Sequence, residues 1–266
     1  MQASLSDTVP LSSFTWDDIT PVTVAKTFTV ALLALGWFYH EAPDKTLKLY
    51  GFEIPEKNTA LLFDMVETWG ASVFSIGVVG FCLLFQESTV NTAVAWYCVY
   101  WAQEHVRAVL KEIEKKAGGN PAVRYFWILI ATFCAYACFT DASYSNSAIK
   151  VIGALTVAQG LPMAIAPQTS LVLTIGNKKE DYNILTTTMV RMFGFVLSSA
   201  GVLLAALCYG FEPVRAMGSV NLLSAIKIVW LLYITQDLVK CNMNLKPVYG
   251  WLFFHTFAAW LCLLSG

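Results

Sequence analysis

Six polar residues stand inside apolar stretches of the chain: Asp64, Glu67, Gln159, Arg191, Lys227 and His255. Two are carboxylates and three are nitrogen bases, and each costs free energy to place in hydrocarbon without a partner. Such groups pair with one another, line water or snorkel to the nearer surface. Asp64 and Glu67 are three residues apart and so share one helix face. Two chemistries are open to this set. An ion pair between Glu67 and Arg191 locks two helices together, or Asp64, Glu67, Arg191, Lys227 and His255 surround a polar cavity for a small anion, a metabolite or a proton. Lys227 presses toward the second reading, because pairing Glu67 with Arg191 leaves it dependent on Asp64 or on a ligand.

The segments that position these groups are set by hydropathy. The 266 residues are 57% hydrophobic and 13% charged, with a mean hydropathy of +0.59, too apolar to be covered by its own polar surface. Lipid is therefore the expected solvent for much of the chain. Apolar runs at about 21–39, 59–85, 90–109, 121–140, 148–165, 184–209, 214–234 and 248–264 have at least the roughly 17 residues of a membrane-spanning helix. Thr20-Pro21 reads as an N-cap followed by proline at the first helical position. Segment 41–57, with Pro43 and Pro55, reads as a loop, Gln86-Glu87-Ser88 as a tight turn, and Gly118-Gly119-Asn120-Pro121 as a helix break. Residues 1–20 form a polar, acidic tail, with neither the basic start of a signal peptide nor an Arg-rich transit face.

The runs repeat. Met65-Val66-Glu67-Thr68-Trp69-Gly70, with Gly77-Val78 beyond it, returns as Met189-Val190-Arg191-Met192-Phe193-Gly194, with Gly201-Val202. The offset of 124 residues also pairs Lys26 with Lys150, Gly36 with Gly160, Ala42-Pro43 with Ala166-Pro167, Leu47 with Leu171 and Val90 with Val214. A slip of two residues then aligns Pro121 with Pro247. The expected fold is an all-α integral membrane protein of eight transmembrane helices, a tandem duplication of a four-helix unit over 21–141 and 142–266. An even number of spans gives both units one orientation.

Lys45, Lys48, Lys57, Arg107, Lys111, Lys115, Lys116, Arg124, Lys178, Lys179, Lys240 and Lys246 fall on one side, which puts both termini on the extracytoplasmic or lumenal side. Counted from the basic side, Glu67 and Arg191 lie about eight residues into their helices, roughly 12 Å deep. Lys227, His255 and Gln159 come out at similar depth, in one layer. Gly70, Gly77, Gly194, Ser198 and Gly201 recur on a stripe that allows close helix approach. The aromatic clusters at 37–39, 96–97, 100–101, 125–127 and 249–251 read as interface belts, whereas Trp69 and Trp260 lie deeper.

Several classes are excluded. A formal charge of -1 and the lack of a basic run give no basis for nucleic-acid binding. Seven cysteines sit mostly within apolar runs, against a disulfide framework, and Cys134 with Cys138 reads as packing because no second ligand pair accompanies it. Glu104-His105 reads as a solvated helix end. No metal site, cofactor or catalytic residue is indicated, and the nucleophile-elbow, zinc-protease, phosphate-loop and dinucleotide motifs are missing. A lysine in the seventh span invites comparison with retinal proteins, but eight spans and a third helix without a carboxylate counterion in its apolar part argue against it. Each unit resembles the DoxX-like four-span membrane proteins, in a first helix closing on Pro43, a Leu49-Tyr50-Gly51 loop and a second helix bearing Gly70 and Gly77. The second unit has Leu173-Thr174-Ile175 instead. That resemblance implies accessory or scaffold roles in membrane complexes and carries over no catalytic residue. The expected function is a structural or accessory component of a membrane assembly, with the lipid bilayer and other membrane proteins as partners. A small-solute, anion or proton transporter is the alternative, followed by a lipid-modifying membrane enzyme.

Overall fold

A computed structural model describes residues 19–55, 59–113, 121–175 and 183–264. The tail at 1–20, apart from Ile19 and Thr20, and the break at 118–120 lie outside these residues. In chain order the helices are α1 (Pro21–Glu41), α2 (Pro43–Leu49), α3 (Thr59–Leu84), α4 (Val90–Leu110), α5 (Ala122–Phe139), α6 (Ser145–Ile165), α7 (Pro167–Ile175), α8 (Ile184–Cys208), α9 (Pro213–Val229), α10 (Asp237–Lys240) and α11 (Leu245–Leu264). A π turn, Trp230–Ile234, extends α9. Seven helices are long and apolar enough to cross a membrane: α1, α3, α5, α6, α8, α9 with its π turn, and α11.

The helix limits follow local chemistry. The Thr20 hydroxyl accepts from the Thr23 N–H at 3.1 Å, and Pro21 occupies the first turn, where a missing N–H costs nothing. Ala42 and Ala166 leave the helical region at φ -136°, ψ 61° and φ -127°, ψ 62°. The prolines that follow cannot continue α1 or α6, but their fixed φ suits the first turn of α2 and α7. The stretch at 41–57 is therefore not all loop, as the proline and charges suggested: its first part is α2.

α4 has 21 residues, about 31 Å of helix, yet its second half is polar. Tyr97 and Trp101 are fully buried there, and α4 packs against α3 and α5. Neighbours rather than lipid surround that polar face, so it need not be apolar.

α3 and α8 are the most enclosed spans and touch each other. α1 packs on α3 and α6 on α8, both across glycines. A Cβ on Gly70 would meet the backbone N of His40 and, at 2.8 Å, the Gly36 oxygen. On Gly194 it would meet the Ala164 N at 2.5 Å and the Gly160 oxygen at 2.6 Å. Gly77 lies against Leu33, and Gly201 against Gly153 and Val157. Ser198 closes on Gly160 and donates its hydroxyl to the Gly194 carbonyl at 2.9 Å. Small residues let these backbones approach, and dispersion between them holds the pairs.

Candidate functional site

At the basic end of the bundle, where α1 stops and α3 starts, α1, α3, α4 and α5 converge on a charged network. Glu67 takes the Arg107 guanidinium and, at 3.2 Å, the Lys111 amine. Arg107 also holds Glu104, one turn away on α4, and reaches Asp64 at 3.9 Å. Asp64 accepts from Arg124 on α5 at 2.8 Å. The His40 Nε2 lies 3.0 Å from Glu104, and its Nδ1 2.9 Å from Glu41, which ties in the end of α1. Asp64 and Glu67 thus share a face and a partner. Glu104 and His105 are not a solvated helix end. Both are buried; His105 meets Trp101 edge-on at 4.8 Å and stacks on Trp127 at 6.0 Å. Reading α4 alone hides this, because the cover comes from other helices.

Arg191 does not meet Glu67. Its Nε lies 2.8 Å from Asp237 at the start of α10, and its Nη1 donates to the last carbonyls of α6, Ala164 at 3.1 Å and Ile165 at 3.3 Å. A cation there satisfies orphan carbonyls and complements the negative end of the α6 dipole. α3 and α8 do touch, but Glu67 turns to α4 and Arg191 to α6 and α10. Each charge thereby keeps a small exposed fraction, 15% and 12% of its side chain. Gln159, on α6, makes no hydrogen bond to the described residues that would join it to these groups.

Lys227 and His255 come together elsewhere, on a cavity bounded by α1, α3, α8, α9 and α11. Its volume is about 110 Å³, wide enough for a single apolar chain but not for a bulky solute. On α1 it extends from Phe28 to Tyr39, roughly 16 Å at the helical rise. Its walls are aliphatic and aromatic: Trp69 stacks on Tyr39 with centroids 4.4 Å apart, and Trp251 on His255 at 5.6 Å. The Tyr39 and Tyr50 hydroxyls share a hydrogen bond at the basic end. Burial pushes the Tyr50 phenol above its ordinary value, so it remains neutral. His255 Nδ1 lies 2.9 Å from the Asn221 Oδ1, whose Nδ2 donates to the Met217 carbonyl at 3.1 Å. That chain makes Nδ1 a protonated, donating nitrogen; in the neutral ring Nε2 is then the acceptor. Lys227 has no ion pair or hydrogen bond among the described residues, and no Asp or Glu lines the cavity.

Sequence reasoning missed Asn221 and Asp237, and counted Arg107, Lys111 and Arg124 only as topogenic charges. Asp237 carried a faint signal, an acid on a side otherwise rich in lysine. Trp69 lines the cavity, whereas Trp260 is 57% exposed on the outer surface. The aromatic clusters split in the same way: Trp37, Trp96, Tyr125 and Tyr249 are exposed, and Tyr97, Trp101 and Trp127 are buried.

Among the described residues, seven helices are apolar and long enough to cross a membrane, and five of them bound the cavity, the pattern of a multi-pass helical membrane protein in contact with the lipid bilayer. No family model, curated protein or solved structure matches the chain, and a functional reading rests on this geometry.

Proposed function

We propose that the chain binds a membrane-soluble, mostly apolar molecule in the cavity between two tandem four-helix units. The observation that carries this is the position of the Lys227 amine, without a counterion among the described residues, on a wall that is mostly apolar and aromatic. A path for a hydrophilic solute calls for a continuous polar lining. Asp64, Glu67 and Arg191 are not on this cavity, which favours an apolar occupant over an ion or proton path. The accessory-subunit role expected from the sequence points to no particular residue, whereas the cavity does.

The two-unit reading, 21–141 and 142–266, draws on correspondences at the offset of 124. α1 and α6 have 21 residues each. The Gly70 contact with residues 36 and 40 matches that of Gly194 with 160 and 164. Lys26 lies over Phe85 at 5.2 Å, and Lys150 over Tyr209 at 5.7 Å. Glu112 and Gln236, after the third span of each unit, are both left-handed, at φ 53° and 56°. In this reading α4 is the eighth span, both units share one orientation, and the basic end is cytoplasmic, with both termini on the other side. Gly51, at φ 79°, provides the left-handed turn after α2 within the Leu-Tyr-Gly loop of the DoxX-like resemblance. A topology reporter fused after Gly266 is expected outside the cytoplasm; a cytoplasmic signal overturns the orientation.

The binding function is tested by purifying the chain in mild detergent, extracting it with organic solvent and identifying what is released by mass spectrometry. An apolar compound at about one per chain is expected, and Val73→Trp, which fills the cavity, is expected to lose it. Identical extracts from the two proteins overturn the reading.

A further inference from the structure

We infer that the occupant is a long-chain carboxylate, with its acid group at Lys227 and its apolar body along the wall formed by Phe28, Trp69 and Ile76. This rests on the cavity being a binding site, and adds the chemical class of what is bound.

Charge gives the first argument. Lys227 is half-buried; an ammonium against an apolar wall without a counterion is disfavoured, and no acid among the described residues of the cavity wall supplies one. The nearest alternative is that His255 carries a second positive charge and so calls for a dianion. Its Nδ1–H is given to Asn221, whose own amide is fixed by the Met217 carbonyl, and a second proton on Nε2 would put two like charges on one largely apolar wall. With a neutral ring at His255, Lys227 is the sole cation on the wall among the described residues. One cation matches one negative charge; a phosphate monoester dianion is ordinarily met by several cationic and backbone donors.

Shape gives the second. The cavity is elongated along α1, with Ser224, Lys227 and His255 on α9 and α11 facing side chains of α1 and α3 that are apolar except for Tyr39. Ser224, one turn before Lys227 on α9, shares the face of the amine and offers a hydroxyl to a second carboxylate oxygen. The Ser199 hydroxyl is already given to the Phe195 carbonyl at 2.8 Å, and one of the Tyr39 and Tyr50 hydroxyls to the other. A molecule with one polar end and an extended apolar body fits this division. A compact polar metabolite would desolvate against aliphatic walls with no return.

The test uses the full chain in nanodiscs of neutral phosphatidylcholine, titrated with a fluorescent long-chain fatty acid and with its methyl ester, which has the same body but no charge. The acid is expected to bind at least about tenfold more tightly than the ester, the scale of one charge-assisted contact in a dry site. Lys227→Met is expected to remove that preference while keeping ester binding, and Lys227→Arg to retain it. Val73→Trp is expected to abolish binding of both. Equal affinity of acid and ester for the wild type overturns the carboxylate assignment and leaves the cavity reading standing. Preference that survives Lys227→Met, or failure of both probes to bind, overturns it likewise. Binding of both probes undiminished by Val73→Trp overturns the cavity reading itself. Lys227→Met removes a half-buried charge that has no partner among the described residues and keeps side-chain volume, so loss of fold does not cloud its result.

Discussion

Around Glu67 the chain gathers bases, and around Arg191 it gathers an acid and two carbonyl oxygens. The helix crossings beside these two residues are nevertheless alike, glycine against backbone, with Gly70 on the end of α1 and Gly194 on the end of α6. Close packing leaves no freedom in such a crossing, because any Cβ there collides with backbone that cannot move aside. Charge neutralisation is less demanding. A long side chain near a helix end can find its partner on any neighbouring element, and the two regions have found different ones: Arg107 and Lys111 on α4 and just beyond it, and Asp237 on α10. The contrast separates what geometry fixes from what chemistry can relocate.

The comparison breaks most readily at Arg191, which has a single carboxylate partner among the described residues. Asp237→Asn is expected to lower stability by about 3 kcal/mol, the scale for stripping one member of a largely buried pair, read as thermal unfolding in detergent. A loss within error of zero implies that the α6 carbonyls alone satisfy the guanidinium. Next come the glycines. Gly70→Ala and Gly194→Ala each force a methyl against backbone, and each is expected to cost about 2 kcal/mol. Their near equality is the sharper point, for if one proves neutral the two crossings are not equivalent.

Seven of the eight expected spans, the start of α1 and the close glycine contacts were legible in the sequence because they depend on local quantities. Hydropathy marks a segment that lipid can solvate, Thr20-Pro21 marks a start, and small residues mark close approach. The partners of the buried charges were not legible in that way. Glu67 and Arg191 hold matching positions in matching segments, and that match suggested that they face each other. Helix rotation decides otherwise, and it is set by which faces of α3 and α8 are apolar enough to meet. Met192 and Val196 on α8, with Trp69, Val73 and Ile76 on α3, give those faces to the cavity, and the charges are turned away. Glu104 and His105 were hidden for the same reason, since their burial comes from α1 and α5. Lys227 and His255 were found as members of a polar layer, but the layer divides into a charged network at one end and a cavity with a lone amine.

Glu67 supplies the smaller effects. Glu67→Gln leaves Arg107 with Glu104 and, at 3.9 Å, Asp64, and Lys111 is half exposed, so the expected loss is about 1 kcal/mol or less. It should fall well below that of Asp237→Asn; equal losses imply that Arg107 depends on Glu67 as closely as Arg191 does on Asp237. The smallest effect is the most discriminating. In a double-mutant cycle of Glu67→Gln and Arg191→Gln, the two losses are expected to add to within about 0.5 kcal/mol, as for sites that share no partner. Coupling well above that joins the two charges energetically across the α3 and α8 contact, and returns to the direct pairing that their matched positions suggested. Additivity leaves the junction between the four-helix units to apolar packing and to whatever occupies the cavity beside Lys227.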